Sequence, residues 1–248
     1  MFEAFCFWEV VNLTDQFERT RLLIGEDGLQ VLRQASVIVF GVGGVGSFAV
    51  EALARAGIGK LTLVDHDVVT WSNLNRQLPA LHSTVGQPKV AVLRQRIADI
   101  NPQCEVVTWQ EFYEAGNREL FFQAKYDYVV DAIDKVKSKV DLIEQCVIRK
   151  LPIVSSMGAG NRLDPVGFRV ADIADTFNCP LAKVVRKELR NRGIGEGVKV
   201  VFSPKPCAKV MRENSMTERV PGSISFVPPV VGMILASVVV NDLLAKNR

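Results

Sequence analysis

The sequence predicts an α/β fold: a mainly parallel central sheet with helices on both faces and an antiparallel extension at the C-terminal end. Three observations carry this. A short apolar run, Ser36–Phe40, breaks into glycines at 41, 43, 44 and 46 and then into a helix-forming stretch over 47–56. Strand-like apolar runs then alternate with helix-period runs as far as Ser156, the pattern of βα units that build parallel sheets. Beyond residue 160 the alternation stops, and short runs at 168–171 and 198–202 flank a basic helix, an antiparallel arrangement.

Length and composition fit one unit. At 248 residues with 48% hydrophobic content, the chain can bury a large core. It reads as a single domain, 1–248, with a nucleotide-binding core at 13–160 and a C-terminal part, 161–248, that faces the substrate and supports a dimer. The net charge of +3 gives no global drive toward nucleic acid, so any such contact must be local. The cysteines at 6, 104, 146, 179 and 207 form no C-x-x-C pair, which argues against a disulfide framework and a four-cysteine zinc site and favours a reducing cytoplasm. The opening MFEAFCFWEVVNL carries Glu3 and Glu9 and no basic region, against a signal peptide. Phe226–Val240 is too short and too interrupted to span a membrane, so a buried helix and no membrane partner are expected.

The elements follow in order. Leu13–Leu32 reads as two helices, the first capped by Thr14 or Asp15. Strand Lys60–Asp65 leads into a polar stretch with Asn73, Arg76 and Gln77, placed like a ligand-facing loop. Gly86–Ile100 has a helical period and puts Lys89 in its first turn. A cation there costs up to about 1 kcal/mol unless it meets an anion. Strand Glu105–Trp109, a short helix over 118–124, strand Tyr126–Ile133, helix Lys135–Lys150 and strand Ile153–Ser156 complete the alternation. Helix Pro180–Arg192 carries Lys183, Arg186, Lys187, Arg190 and Arg192, either a solvated face or a phosphate contact. Ser203–Gly222 is a loop with Lys205, Lys209, Arg212 and Arg219, and the chain closes with a strand and then the buried helix.

The chemistry centres on the glycines. Glycine tolerates positive φ and lets a phosphate approach bare N–H groups, and the helix that starts there adds a positive dipole end. Gly41, Gly43, Gly44 and Gly46 therefore predict an anion site, and Asp65 lies where a carboxylate receives ribose hydroxyls. Asp134 falls at the same sheet edge. A nicotinamide dehydrogenase has no need of Asn73, Arg76, Lys89 and Asp134 together. Cations near a phosphate loop, with a carboxylate fit for Mg²⁺, suit ATP cleaved at its α-phosphate to place AMP on a carboxylate. His66 and His82 read as structural, since neither has a second ligand at metal spacing.

GVGGVG, VDHD at Val64–Asp67, SNLNRQ at Ser72–Gln77, Gly86–Lys89 and DAID at Asp131–Asp134 resemble, in order and spacing, the adenylation domain of the ubiquitin-activating (E1-like) ThiF superfamily. The resemblance implies the Rossmann-like adenylation fold. It implies ATP held by the glycines, Asp65 on the ribose, Asp67 among the nucleotide-binding residues, Asn73 and Arg76 on phosphates, Lys89 on the triphosphate and Asp134 on Mg²⁺. It also implies a homodimer in which Arg21 is inserted as an arginine finger from the partner subunit. The two C-x-x-C pairs of the sulfur-carrier activators are missing. MGAGN at Met157–Asn161, ADIADT at Ala171–Thr176 and PGSISFVPPVVG at Pro221–Gly232 are instead similar to the tRNA threonylcarbamoyladenosine dehydratase branch.

In that branch ATP activates the carboxylate of the threonylcarbamoyl group on adenosine 37, and an atom of the same group closes a ring. The basic helix and the 203–219 loop would then meet phosphates of the anticodon arm. A monovalent-cation site for Na⁺ or K⁺ is expected near Met157–Asn161. Cys207 stands open between an acyl acceptor and a bystander, because ring closure can proceed straight from the adenylate. Three classes remain: the tRNA dehydratase, an activator of a ubiquitin-like sulfur carrier, and a nucleotide-binding regulator. A sulfur-transfer protein is a further candidate partner.

Overall fold

The computed structural model describes residues 15–208 and 221–246. The opening segment with Thr14, and Lys209, Arg212 and Arg219 of the late loop, lie outside the described residues. The strands are β1 (Ser36–Phe40), β2 (Lys60–Val64), β3 (Glu105–Trp109), β4 (Tyr128–Asp131), β5 (Ile153–Ser156), β6 (Arg169–Asp172) and β7 (Lys199–Phe202). The helices are α1 (Glu18–Gln34), α2 (Gly46–Ala56), α3 (Lys89–Ile100), α4 (Arg118–Phe121), α5 (Val136–Ile148), α6 (Pro180–Asn191) and α7 (Val227–Lys246).

All seven strands join one sheet in the order β3-β2-β1-β4-β5-β7-β6. Every pairing is parallel except β6 with β7, so the antiparallel extension is present as expected. Alternate side chains of each strand point to opposite faces, and the core divides accordingly. Val37 and Val39 pack with α1, α2, α3 and α7 on one face. Ile38 and Phe40 pack with α4, α5 and α6 on the other.

Register sets the site. Phe40 stands beside both Val64 and Asp131, so the segments leaving β1, β2 and β4 emerge level at one edge of the sheet. Between β1 and β4 the winding reverses, and open α/β sheets gather ligands at such a switch point.

Three details depart from or refine the sequence expectations. The two helices expected over 13–32 are present as two segments of α1 that meet at a break at Gly25, whose φ of +72° only glycine takes readily. Asp15 Oδ1 accepts the Phe17 N–H at 3.0 Å just before it. No strand forms over 221–226: Pro221 has no N–H to give a ladder, and the N–H and C=O of Gly222 are both taken by Asn161. The final helix runs past Val240 to Lys246. It is long and apolar enough to cross a membrane, yet Val227, Val231, Leu235 and Val239 are fully buried against the sheet and α2. Gly232 permits that fit, because a Cβ there would sit 2.3 Å from the Val45 carbonyl oxygen.

Candidate active site

A cleft of about 590 Å³ opens at the switch point. Its floor is the glycine turn. Gly41 has φ of +82°, and a Cβ on Gly46 would stand 1.8 Å from the Gly41 carbonyl oxygen, so the turn closes only with glycine at both places. Asp65, almost fully buried, braces it. One oxygen accepts the Val42 N–H at 2.7 Å and the other the Asp67 N–H at 2.9 Å. The N–H groups of Gly43, Gly44 and Val45 find no acceptor among the described residues, and α2 begins at the next residue. Open donors at a helix N-terminus form a ready seat for a phosphate.

The misplaced cation has found its anion. Lys89, the first residue of α3 and 4% exposed, donates from Nζ to Asp67 Oδ2 at 2.7 Å. Burial pushes the Asp67 carboxyl up, but the hydrogen bond and charge of Lys89, with His66 and Lys135, outweigh it and hold the group below the ordinary aspartate value. An ammonium has three donors, and Asp67 is the single acceptor for Lys89 among the described residues.

Arg76 lies half-buried in the wall, steadied by the Ser72 carbonyl at 2.8 Å and Asn75 Oδ1 at 2.6 Å. Asn73 does not line the cleft; its Oδ1 accepts the Thr70 N–H at 3.2 Å and caps the turn that leads to Arg76. Asp134 lines the cleft, exposed and without an ion-pair partner among the described residues. Cys207 also lines it, while the nearby Lys205 is engaged by Asp164. Arg21 stands apart, held by Asp15 and Glu26 beside the exposed Leu22 and Leu23.

Gln77 was expected on the ligand-facing loop, whereas the cleft roles of His66 and Phe112 escaped sequence reasoning. Gln77 reaches the cleft, and its Oε1 is buried with no hydrogen-bond partner. His66, read as structural, faces the cleft with its ring edge-to-face against Phe112, centroids 5.0 Å apart. Phe112 in turn lies under Lys135 Nζ at 4.2 Å. Both follow strand ends at the edge that holds Asp65 and Asp134, so the positional rule that found those carboxylates could have found these.

The donor set fits a nucleotide triphosphate and a divalent cation. Asp65, His66 and Asp67 could together hold a metal; each Asp65 oxygen accepts one backbone N–H and Asp67 Oδ2 accepts from Lys89, so a metal there would use the second lone pair of each oxygen. Of the cleft carboxylates, Asp134 and Glu111 are exposed and have no hydrogen-bond or ion-pair partner among the described residues, and Asp134 follows the Ala132–Ile133 segment that packs against the glycine turn. Among the described residues Cys104, Cys146, Cys179 and Cys207 are free, and none belongs to a metal-binding group.

On the basic helix, intramolecular bonds take two of the five cations. Arg186 donates to Thr176, and Arg192 pairs with Glu144 at 2.6 Å. Lys183, Lys187 and Arg190 remain exposed at i, i+4 and i+7 on one face, running away from Pro180 and Leu181 at the cleft wall.

Comparison with known proteins places the chain among relatives of the same fold. The chain is 49% identical over 241 residues to a Bacillus subtilis tRNA threonylcarbamoyladenosine dehydratase, covering 92% of this chain and 94% of that protein. The crystal structure of the Escherichia coli tRNA N6-threonylcarbamoyladenosine dehydratase in complex with ATP matches with a TM-score of 0.87 at 38% identity, covering 94% of this chain and 95% of that one. The Escherichia coli molybdopterin-synthase adenylyltransferase is 37% identical, but over only 62% of this chain and 64% of its own length. Residues 17–248 match the ThiF family, and the chain belongs to that family.

Proposed function

We propose that this chain is an ATP-dependent tRNA threonylcarbamoyladenosine dehydratase. The carboxylate of the threonylcarbamoyl group at adenosine 37 attacks the α-phosphate of ATP, releasing pyrophosphate and leaving AMP on the carboxylate, and an atom of that same group then displaces AMP and closes a ring. The observation that carries this reading is the end-to-end likeness to a dehydratase, 92% and 94% of the two chains, where the sulfur-carrier type of activator is matched over 62% and 64%.

In this reading the open N–H groups after Gly41 seat phosphates, Asp65 receives the ribose, and Arg76 and Lys89 neutralise charge that grows on the phosphates. Asn73 serves by fixing the Arg76 turn, and Asp67 by holding the Lys89 ammonium at the cleft. Asp134 would hold Mg²⁺, which would supply Lewis-acid polarisation of the phosphates. Lys183, Lys187 and Arg190 would track backbone phosphates of the anticodon arm. Arg21 would act across a homodimer whose interface includes Leu22 and Leu23. A Na⁺ or K⁺ site near Met157–Asn161, a sulfur-transfer partner and a cytoplasmic location complete the proposal, with Cys207 a bystander to the chemistry.

The test is AMP release from ATP with three acceptors: tRNA bearing threonylcarbamoyladenosine, the same tRNA unmodified, and a carrier protein ending in Gly-Gly. AMP release with the modified tRNA alone is expected, with loss of at least about 100-fold in Asp134→Asn. Release with the carrier protein instead would overturn the substrate assignment.

A further inference from the structure

Beneath the cleft lies a second lysine–aspartate pair, with both side chains fully buried. Lys139 sits in the first turns of α5, and its Nζ donates to Asp131 Oδ2 at 2.7 Å, Ser155 Oγ at 3.1 Å and the Ser156 carbonyl at 2.9 Å. Ser155 Oγ donates in turn to the same Asp131 oxygen at 2.6 Å. The other Asp131 oxygen accepts the Ile133 N–H at 3.0 Å. Lys139, Asp131 and Ser155 are each 0% exposed, so none can touch a ligand.

We infer that Lys139 is a positioning residue for the reaction: through Asp131 and Ser155 it fixes the turn that carries Asp134 and the β5 end that forms the opposite wall. Burying two charges is expensive, and apolar residues of similar size often serve stability as well or better. The network also lies where geometry matters most. Its bond to Ile133 shapes the segment 132–134, all three residues of which line the cleft. Ala132 is itself wedged against the glycine turn: its carbonyl oxygen is 2.8 Å from where a Gly41 Cβ would be, and its Cβ is 3.2 Å from where that of Gly46 would be. On the far side, Ser156 joins Met157 and Gly158 in the wall. One ammonium thus sets the spacing of both walls and their height above the phosphate seat.

This inference rests on the reading of Asp134 as the Mg²⁺ ligand. The experiment compares the full-length chain with Lys139→Met, Asp131→Asn/Lys139→Met and Ser155→Ala. It measures thermal stability without nucleotide, ATP affinity by calorimetry, hydrogen exchange of the amides at 132–134, and AMP release as a function of Mg²⁺. Lys139→Met is expected to raise exchange at 132–134 and to lower kcat by about 100-fold, the scale of an ångström-size misplacement, with a higher Mg²⁺ requirement and ATP affinity changed less than about threefold. The double variant removes both charges and should recover stability while kcat stays low. Ser155→Ala keeps both charges and should give the same pattern more weakly, which carries the test if Lys139→Met fails to fold.

Recovery of both stability and kcat in the double variant would overturn the inference and reduce the network to packing. Unchanged exchange at 132–134 in the folded variants would overturn it too. A parallel Asp134→Asn variant separates the underlying reading: if its Mg²⁺ requirement matches the parent's, the metal assignment fails, and exchange at 132–134 still decides whether Lys139 holds the turn.

Discussion

The two lysine–aspartate pairs at the C-terminal edge of the sheet use the same parts differently. Each lysine stands near the start of a helix, where the dipole disfavours a cation, and each is offset by an aspartate from a strand end at 2.7 Å. Lys139 spends its three donors on Asp131, Ser155 and Ser156 inside the protein. Lys89 spends one on Asp67, whose side chain is 49% exposed where that of Asp131 is 0% exposed. Unspent donors facing a cleft indicate a group that awaits a ligand, whereas a saturated ammonium indicates a group that holds other atoms still.

The sharpest way to break this comparison is to remove each lysine. Lys89→Met should lose ATP affinity and turnover together, with kcat/KM down by about 1,000-fold, the scale of a lost charge contact to a developing anion. Lys139→Met should lose turnover while keeping ATP affinity. If calorimetry shows equal loss of ATP binding in both, the division between ligand-facing and scaffold lysines is wrong.

The Lys89 pair was partly legible in the sequence because a lone lysine at the start of an amphipathic helix is out of place unless something negative meets it. The Lys139 pair carried the same signal, but Lys135, Lys137 and Lys139 crowd one helix start, and period alone cannot say which of the three turns inward. DAID posed the same difficulty. Asp131 ends a strand and is buried, and Asp134 follows it into the cleft, a difference made by the turn between them. The sheet, its helices and the antiparallel pair were readable from alternating runs. The loss of the strand over 221–226 was not, because it depends on Asn161, 61 residues away in sequence, capturing both backbone groups of Gly222.

Acid titration sharpens the contrast at smaller amplitude. Asp67 is held below its ordinary value, despite burial, by Lys89. Glu51, which ties α2 to α3 through Arg96 at 2.7 Å, is likewise held down by Arg96 and Arg55 against its burial. For a carboxylate with a lowered folded value, the contribution to stability is complete above the unfolded value, near pH 4, and is lost as pH falls through the folded one. Thermal unfolding from about pH 7 to about pH 3 should therefore show a steeper acid loss in the parent than in Asp67→Asn or Glu51→Gln. Parallel curves would contradict both assignments.

The smallest expected effect separates the basic helix from the cleft. Lys183→Ala/Lys187→Ala/Arg190→Ala should leave ATP affinity unchanged and weaken tRNA binding, lowering the slope of log affinity against log salt by about 2, for three phosphate contacts at the single-strand value of about 0.7 each. An unchanged slope would return that face to solvent.

The central claim is that AMP is made at this cleft in order to dehydrate a nucleoside within tRNA. Mass spectrometry of nucleosides from modified tRNA, incubated with the protein and ATP and paired with AMP quantification, tests it directly. The account predicts one AMP for each threonylcarbamoyladenosine that loses the mass of one water. AMP release with the nucleoside mass unchanged would contradict it.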